Sequence, residues 1–327
     1  MSSSNTAPKA YAVDPTTQYG QELLSSCLNG LPSFEESSYD VSRSSDSSLS
    51  SGNTATHHHD RPPVKYIQPP NPEWKFGESV QSTKLGEKWM EGAELEDNWV
   101  HYDTEKEDTR KIYTLMISGI QPRPVAFVSS VSVDGEENIA PFSFFQALSP
   151  SPPIIMISAL NAPRVKDTTA NIQATKDFTV NIISLPWIVQ ANAASIDAPR
   201  HISEWEVSGL TKEPSTHVRA PRVKESAFSL ECILWDKYDI VHPDTGMATS
   251  TATFGLIKCI HVRKDVLNAR GLPDPAKLQT ISRLGDISYG LVTEAFRLPR
   301  PSWNADGEFI EKELKERRKS EPSSSLL

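Results

Sequence analysis

The sequence predicts a mainly β protein, a β-barrel with short helical insertions. About six apolar runs read as strands, and only short helical stretches separate them, an alternation that suits a barrel. An Asp-Gly dipeptide at 134–135 stands between two apolar-rich runs, a strong hairpin signal. A doubly wound parallel sheet lacks its markers, since no GxGxxG follows a strand and no GxxxxGK[ST] occurs.

The elements follow in order. Val125–Val133 is a strand, the Asp134-Gly135 turn closes it, and a short strand returns near Asn138–Ala140. The SPSPP stretch at 149–153 is a turn, and the continuous apolar run Ile154–Ser158 is a buried strand. Asp167 suits the N-cap of a short helix reaching Thr175. Phe178–Ser184 is a strand with Asn181 inside it, and Pro186 opens a helix through Ala194. Ala227–Ile240 is a long strand with period-2 character, and Thr253–Val266 is another. No internal repeat stands out.

Composition bounds the rest. Hydrophobic residues make up 37% of the 327, and there are 25 prolines, so a globular core is diluted by irregular segments. Four regions are expected: a Ser-rich disordered tail over 1–60, a Pro- and Trp-containing extended arm over 61–100, the barrel over 101–300, and a charged helix and tail over 301–327. Trp89 and Trp99 are expected to pack on something, the barrel or a partner subunit, unless the arm is only a linker. The exposed helix at 307–320 carries mixed charge. His57, His58 and His59 are read as a solvated tail, because three consecutive side chains do not converge easily on one ion.

A formal charge of −9 argues against a nucleic-acid partner. No apolar run approaches the roughly 20 residues needed to span a bilayer, and the N-terminus carries neither a signal core nor an Arg-rich transit pattern. Cys27, Cys232 and Cys259 form no CxxC and read as reduced thiols of a cytoplasmic protein. HExxH, paired Cys-His spacing and GxSxG are absent, so hydrolase and metal chemistry have no anchor; no catalytic side chain and no metal ligand is expected.

Three segments carry candidate chemistry. The first is 121–145, QPRPVAFVSSVSVDGEENIAPFSFF, with Ser129 and Ser130 ending an apolar strand and Asn138, Ala140, Pro141 and Ser143 after the turn. Its amides and hydroxyls suit the polar rim of a flat cofactor; Phe142, Phe144 and Phe145 either flank such a ring or fill the core. The second is APRVKDTTANI, 162–172, where Arg164 and Lys166 precede the helix start and Asp167, Thr168 and Thr169 occupy it. Cations, hydroxyls and free helix N–H groups form a phosphate cradle, unless the helix is merely capped and the basic residues solvated. The third is SRLGDISYG, 282–290, with Arg283 and Tyr289.

As an ordered set these segments resemble the flavin reductase-like family. PRP-V-x-x-V-S-S is followed by N-x-AP-x-S-x-F, then KDT-x-x-N-I with F-x-V-N, then LEC in a long strand, then R-LG-x-x-x-Y. The resemblance covers about 110–295, and Asn181 and Glu231 fall in its later motifs. It implies an FMN-binding split barrel, a homodimer, with hydride accepted from NADH or NADPH and electrons passed to a free flavin or an acceptor protein. Ser129, Ser130, Asn138, Ala140, Pro141 and Ser143 would lie around the ring and ribityl chain. Arg164, Lys166, Asp167 and Thr168 would lie near the phosphate, and Arg283 and Tyr289 at the pocket edge. Asp286 stands where the family often has a second Gly, and Gly255-Leu256-Ile257 where Gly-Glu-Val is common. These departures touch the substrate side and leave two further readings: a flavin-binding electron carrier with little NAD(P)H oxidation, and a non-enzymatic interaction protein whose working part is the Ser-rich arm. His201 and His217, between 195 and 220, read as surface histidines.

Overall fold

The computed structural model describes residues 64–94, 98–199 and 202–320; the expected Ser-rich tail, with Cys27 and the His triplet, lies outside them, as does His201. Among the described residues, 117–291 form one compact unit, and 64–116 with 292–320 form a second.

The first unit is mainly β, as the sequence leads one to expect. Its strands are β1 (Arg123–Pro124), β2 (Ala126–Val131), β3 (Glu137–Phe142), β4 (Phe145–Pro150), β5 (Pro153–Leu160), β6 (Asp177–Ile182), β7 (Lys212–Glu213), β8 (Arg222–Val223), β9 (Phe228–Val241), β10 (Ala248–Val262), β11 (Ile281–Arg283) and β12 (Tyr289–Leu291). The helices between them are short: α1 (Asp167–Thr175), α2 (Ile188–Ala193), α3 (Glu204–Ser208) and α4 (Pro275–Leu278). Seven strands form one sheet in the order β3-β2-β6-β9-β10-β5-β4, antiparallel throughout, and β12-β11-β1 form a small second sheet.

The 134–135 turn closes the β2–β3 hairpin, with Gly135 at φ +88° and Ser130 paired to Asn138. Strand β4 does not read as a strand in the sequence. Four of its six residues are exposed and it pairs only with β5 at the sheet's far edge, so it lacks the apolar signature of a buried strand. Asp167 is the first helical residue of α1 rather than its cap; the cap position is Lys166, which has no capping side chain. The Asp167 carboxylate instead accepts from Arg164 Nη1 at 2.9 Å.

Strand β2 is buried on both faces, and its alternation separates two cores. Val125 and Phe127 join Ile139, Ile183, Trp187 and Trp205; Ala126 and Val128 join Ile155, Ile172, Phe178 and Val180. Phe127 and Trp187 meet edge to face at 5.5 Å. The period-2 pattern expected of β9 appears in the chemistry of its two faces but not in their burial: Ser229, Leu230, Glu231 and Cys232 are all buried. Leu230 and Cys232 face the second core; on the other face Glu231 accepts from the 214–223 segment, and Ser229 donates to Asn181, which accepts from Val223 N. Burial pushes the Cys232 thiol pKa well up, so it stays protonated.

Arg123 is 6% exposed and staples the first unit together. Its guanidinium donates to the carbonyls of Ile117, Ile120 (2.9 Å) and Leu284 (2.8 Å), and Nε lies 3.4 Å from Ser143 Oγ.

In the second unit, helix Lys84–Glu94 and helix Trp303–Ser320 accompany a two-residue parallel bridge between Lys65–Tyr66 and Glu294–Ala295. Phe76 meets Trp74 at 5.6 Å and Phe309 at 6.3 Å, and Arg317 pairs with Glu78 at 2.8 Å. Trp89 and Trp99 are 79% and 71% exposed among the described residues.

At Gly255 in β10 a Cβ would lie 2.5 Å from the Phe178 ring and 3.3 Å from Ile155. Gly255→Ala should therefore lower stability by about 1–3 kcal/mol in urea unfolding. Adding Phe178→Leu should recover part of that loss; strictly additive effects would contradict the contact.

Candidate functional site

The site grows from the hairpin and α1. Residues Ser130 and Asn138 are cross-strand partners and share a face. On that face Asn171 Nδ2 donates to Ser130 Oγ at 3.2 Å, and Thr168 Oγ1 donates to Asn138 Oδ1 at 2.7 Å. Asn138 Nδ2 in turn donates to Glu204 Oε2 at 3.0 Å. Helix α1 is thus fastened to β3 through its first turn, and α3 through Glu204. Strand β3 is an edge strand, so one side of its backbone is unused by the sheet.

These contacts bring Asn138, Ala140, Pro141, Arg164, Lys166, Asp167 and Thr168 to one cleft of about 120 Å³, closed by Ala194–Asp197 and Glu204. A wider, acidic hollow of about 320 Å³ shares Asn138, Asp167 and Glu204 with it and adds Asp134, Glu136, Glu137, Glu206 and Lys212. Seven of the twelve sequence-derived residues therefore line the cleft. Five do not. Ser130 lies beneath it, fully buried and bonded to Asn171. Ser129 alternates to the opposite face, where its hydroxyl is buried with no hydrogen-bond partner among the described residues. Ser143 is 3.4 Å from Arg123. Arg283 stacks on Tyr289 at 4.6 Å and donates to the carbonyls of Asp286 and Ile287. Tyr289 donates to Asn192 at 2.9 Å, on the helix preceding the cleft wall.

Asp286 adopts φ +51°, the left-handed region where glycine is favoured and Asp is tolerated. The departure from Gly at this position is thus accommodated locally, with Asp286 Oδ1 accepting from Ser288 N at 2.7 Å.

The cleft's electrostatics centre on two cations. Arg164 contacts Asp167 at 2.9 Å and Asp197 at 3.1 Å, and Lys166 contacts the same Asp197 oxygen at 3.4 Å. Burial works against the Arg164 charge, but Asp167, Asp197 and Glu204 outweigh it and hold its pKa above the ordinary value. Above the cations begins α1, whose first turn no side chain caps, so its N–H groups favour an anion. Asn171 falls in the KDT-x-x-N-I motif, whereas Asp197 and Glu204 carried no motif in the sequence. They are single residues on segments whose approach to 164–168 only the fold sets.

A second titratable cluster lies elsewhere. Glu231, Cys259 and His261 place their ligand atoms within 4.8 Å of one another. Glu231 is fully buried and accepts from Thr216 N (2.8 Å), His217 N (2.5 Å) and His261 Nε2 (2.5 Å). Both carboxylate oxygens are engaged, and a metal would have to part His261 from Glu231; the cluster anchors the 214–223 segment. His217 takes part through its backbone, with its side chain exposed.

The site and fold define a mainly β split barrel with a cleft beside an edge strand, lined by Arg164 and Lys166. Residues 118–272 match the family described as the flavin reductase like domain. The chain is 36% identical over 184 residues to an uncharacterized protein of Aquifex aeolicus, covering 56% of this chain and 90% of that one. It is 37% identical over 195 residues to a protein of Halalkalibacterium halodurans, covering 58% and 91%. Among solved structures it is similar to nitrilotriacetate monooxygenase component B of Bacillus cereus (TM-score 0.59, 29% identity, 61% of this chain and 98% of that one). It is also similar to 2-nitrobenzoate 2-nitroreductase of Pseudomonas fluorescens (TM-score 0.56, 26% identity, 62% and 98%). A Shewanella frigidimarina protein with a split barrel domain shares the fold (TM-score 0.54, 23% identity, 62% and 100%). The chain belongs to the flavin reductase-like family. No helix among the described residues is long and apolar enough to cross a membrane.

Burial first pushes the Glu231 pKa up, but the Thr216 and His217 amides and His261 outweigh it, leaving it below the ordinary value. A lowered folded pKa means that the ionised carboxylate stabilises the fold above the unfolded value and that this contribution fades as pH falls through the folded value. Glu231→Gln should cost about 1–3 kcal/mol at pH 7, with the gap to wild type closing below about pH 4.3 in denaturation series. A gap that widens in acid would contradict this.

Proposed function

We propose that the protein is an FMN-binding oxidoreductase, an NAD(P)H-dependent flavin reductase. The observation that carries this reading is the cation pair Arg164 and Lys166 at the uncapped start of α1, set against the edge of β3. The family assignment supports a flavin as the group accepted there. FMN held there would supply the redox chemistry: hydride acceptance from a reduced nicotinamide at N5 and delivery of electrons to a free flavin or an acceptor protein.

The chain's own residues bind and orient. Arg164 and Lys166 hold the phosphate by charge-assisted contacts, with Thr168 and the first-turn amides of α1 beside them. The edge of β3 from Asn138 to Pro141 offers unpaired peptide groups to the polar rim of the ring, where Pro141 contributes only a carbonyl. Both polar ends of the Asn138 side chain are already engaged, by Thr168 and Glu204, so its role is to fix that edge. Ser129, Ser130, Ser143, Arg283 and Tyr289 support the cleft from behind or beside it. No side chain acts as nucleophile or proton donor in this scheme. The reading includes a homodimer in a reducing cytoplasm, in keeping with the absence of a cysteine framework. The 1–60 tail, the 61–100 arm and the 301–327 tail are taken as additions to a 101–300 catalytic barrel.

An electron carrier with little NAD(P)H oxidation is the second reading, favoured by Leu256 where the family commonly has Glu. Rapid mixing of flavin-loaded protein with NADH and with NADPH separates the two: fast bleaching of the flavin supports the reductase, and a stable oxidised spectrum supports the carrier. For the cradle, Arg164→Ala with Lys166→Ala should weaken FMN binding far more than riboflavin binding, by roughly 1.5–3 kcal/mol per lost contact. Equal losses for both ligands in fluorescence titrations would place the phosphate elsewhere.

A further inference from the structure

Asp197 bridges the cradle. A single carboxylate oxygen, Oδ1, lies 3.1 Å from Arg164 Nη2 and 3.4 Å from Lys166 Nζ. It therefore occupies the position that an oxygen of an incoming phosphate monoester would take between the same two cations. Asp197 differs from the other carboxylate on Arg164. Asp167 is fixed in the first turn of α1, whereas Asp197 sits on the irregular stretch after α2, its side chain 54% exposed. One partner is built in and the other is free to leave.

Arg164 and Lys166 face Asp167, Asp197 and Glu204, and all three carboxylates act on Arg164. With Asp197 in place the formal balance of the cleft is negative. A phosphate monoester carries about −1.5 to −2 at neutral pH, so it meets net repulsion until Asp197 withdraws. With Asp197 withdrawn or neutral, the two cations balance the remaining two carboxylates. Ligand phosphate and Asp197 are thus mutually exclusive occupants of one subsite, and the affinity for the phosphorylated ligand is reduced by the work of displacing Asp197.

We propose that Asp197 is a specificity-determining residue that competes with the flavin phosphate for Arg164 and Lys166, so that FMN is held as an exchangeable ligand, less tightly than the two cations alone would hold it. This rests on the assignment of the cleft to FMN. Removing the charge removes the competitor, not the cradle. Its effect is confined to phosphorylated ligands and falls mainly on their dissociation rate, where affinity differences within one site usually reside.

The test is a set of fluorescence titrations of the full chain and its Asp197→Asn and Asp197→Ala variants with FMN and with riboflavin. Inorganic phosphate serves as competitor, and Arg164→Ala/Lys166→Ala as the reference for the cradle. Removing one or two partly exposed ion pairs should tighten FMN binding about five- to tenfold. Riboflavin affinity should stay within about twofold, FMN release should slow by a factor similar to the FMN gain, and phosphate should compete better in both Asp197 variants. FMN affinity unchanged in both variants, while the reference variant loses FMN selectively, overturns the role of Asp197 alone. Equal tightening of FMN and riboflavin also overturns it, since Asp197 would then act on the shape of the cleft. Equal loss of both ligands in the reference variant overturns the cradle and the role of Asp197 together.

Discussion

The cleft depends on the hydrogen bond from Thr168 to Asn138. It ties the first turn of α1 to an edge strand, at 2.7 Å, between residues thirty apart in the chain. It helps to fix the cations of 164–166 relative to the β3 edge. The proposed phosphate site and ring-binding edge are joined through it. The bond is backed by Asn171 on buried Ser130 and by Glu204 on Asn138, so donors and acceptors close into a network rather than a lone contact. Buried polar groups of this kind are costly unless satisfied, which makes the hairpin, α1 and α3 settle together.

The same logic operates on the other side of the sheet with a different chemistry. Glu231 and Asn181 lie beneath the 214–223 segment and hold it by its amide groups. This is why β9 alternates in chemistry but not in burial: one face meets the apolar core and the other a covered polar layer. The barrel therefore uses apolar packing for its two cores and buried hydrogen bonds where irregular chain crosses the sheet.

Much of this was legible in the sequence. The Asp-Gly turn required a left-handed residue and flanking strands, and Gly135 supplies it. The helix from Asp167 to Thr175 was bounded by its own residues. The 164–168 cations and hydroxyls were visible as a phosphate-type segment because proximity along the chain is proximity in space within one helix turn. What escaped has a common cause. Strand β4 carries no apolar run because it lies at an edge. Ser129 and Ser130 look alike in sequence, but the pleat sends them to opposite faces, and a one-residue shift decides which can serve the cleft. Asp197 and Glu204 reach the cations from about thirty to forty residues away, across a distance only the tertiary fold closes. Arg283 and Tyr289 belong to the small second sheet and reach the cleft wall through Asn192 rather than the cleft itself.

On the proposed function this cleft receives a phosphorylated flavin. A crystal structure of the protein grown with FMN is the decisive test. The phosphate is expected between Arg164 and Lys166 at the start of α1, with Asp197 turned away and the ring along the Asn138–Pro141 edge. A flavin whose phosphate lies on other residues, with Asp197 still bridging the two cations, would contradict it.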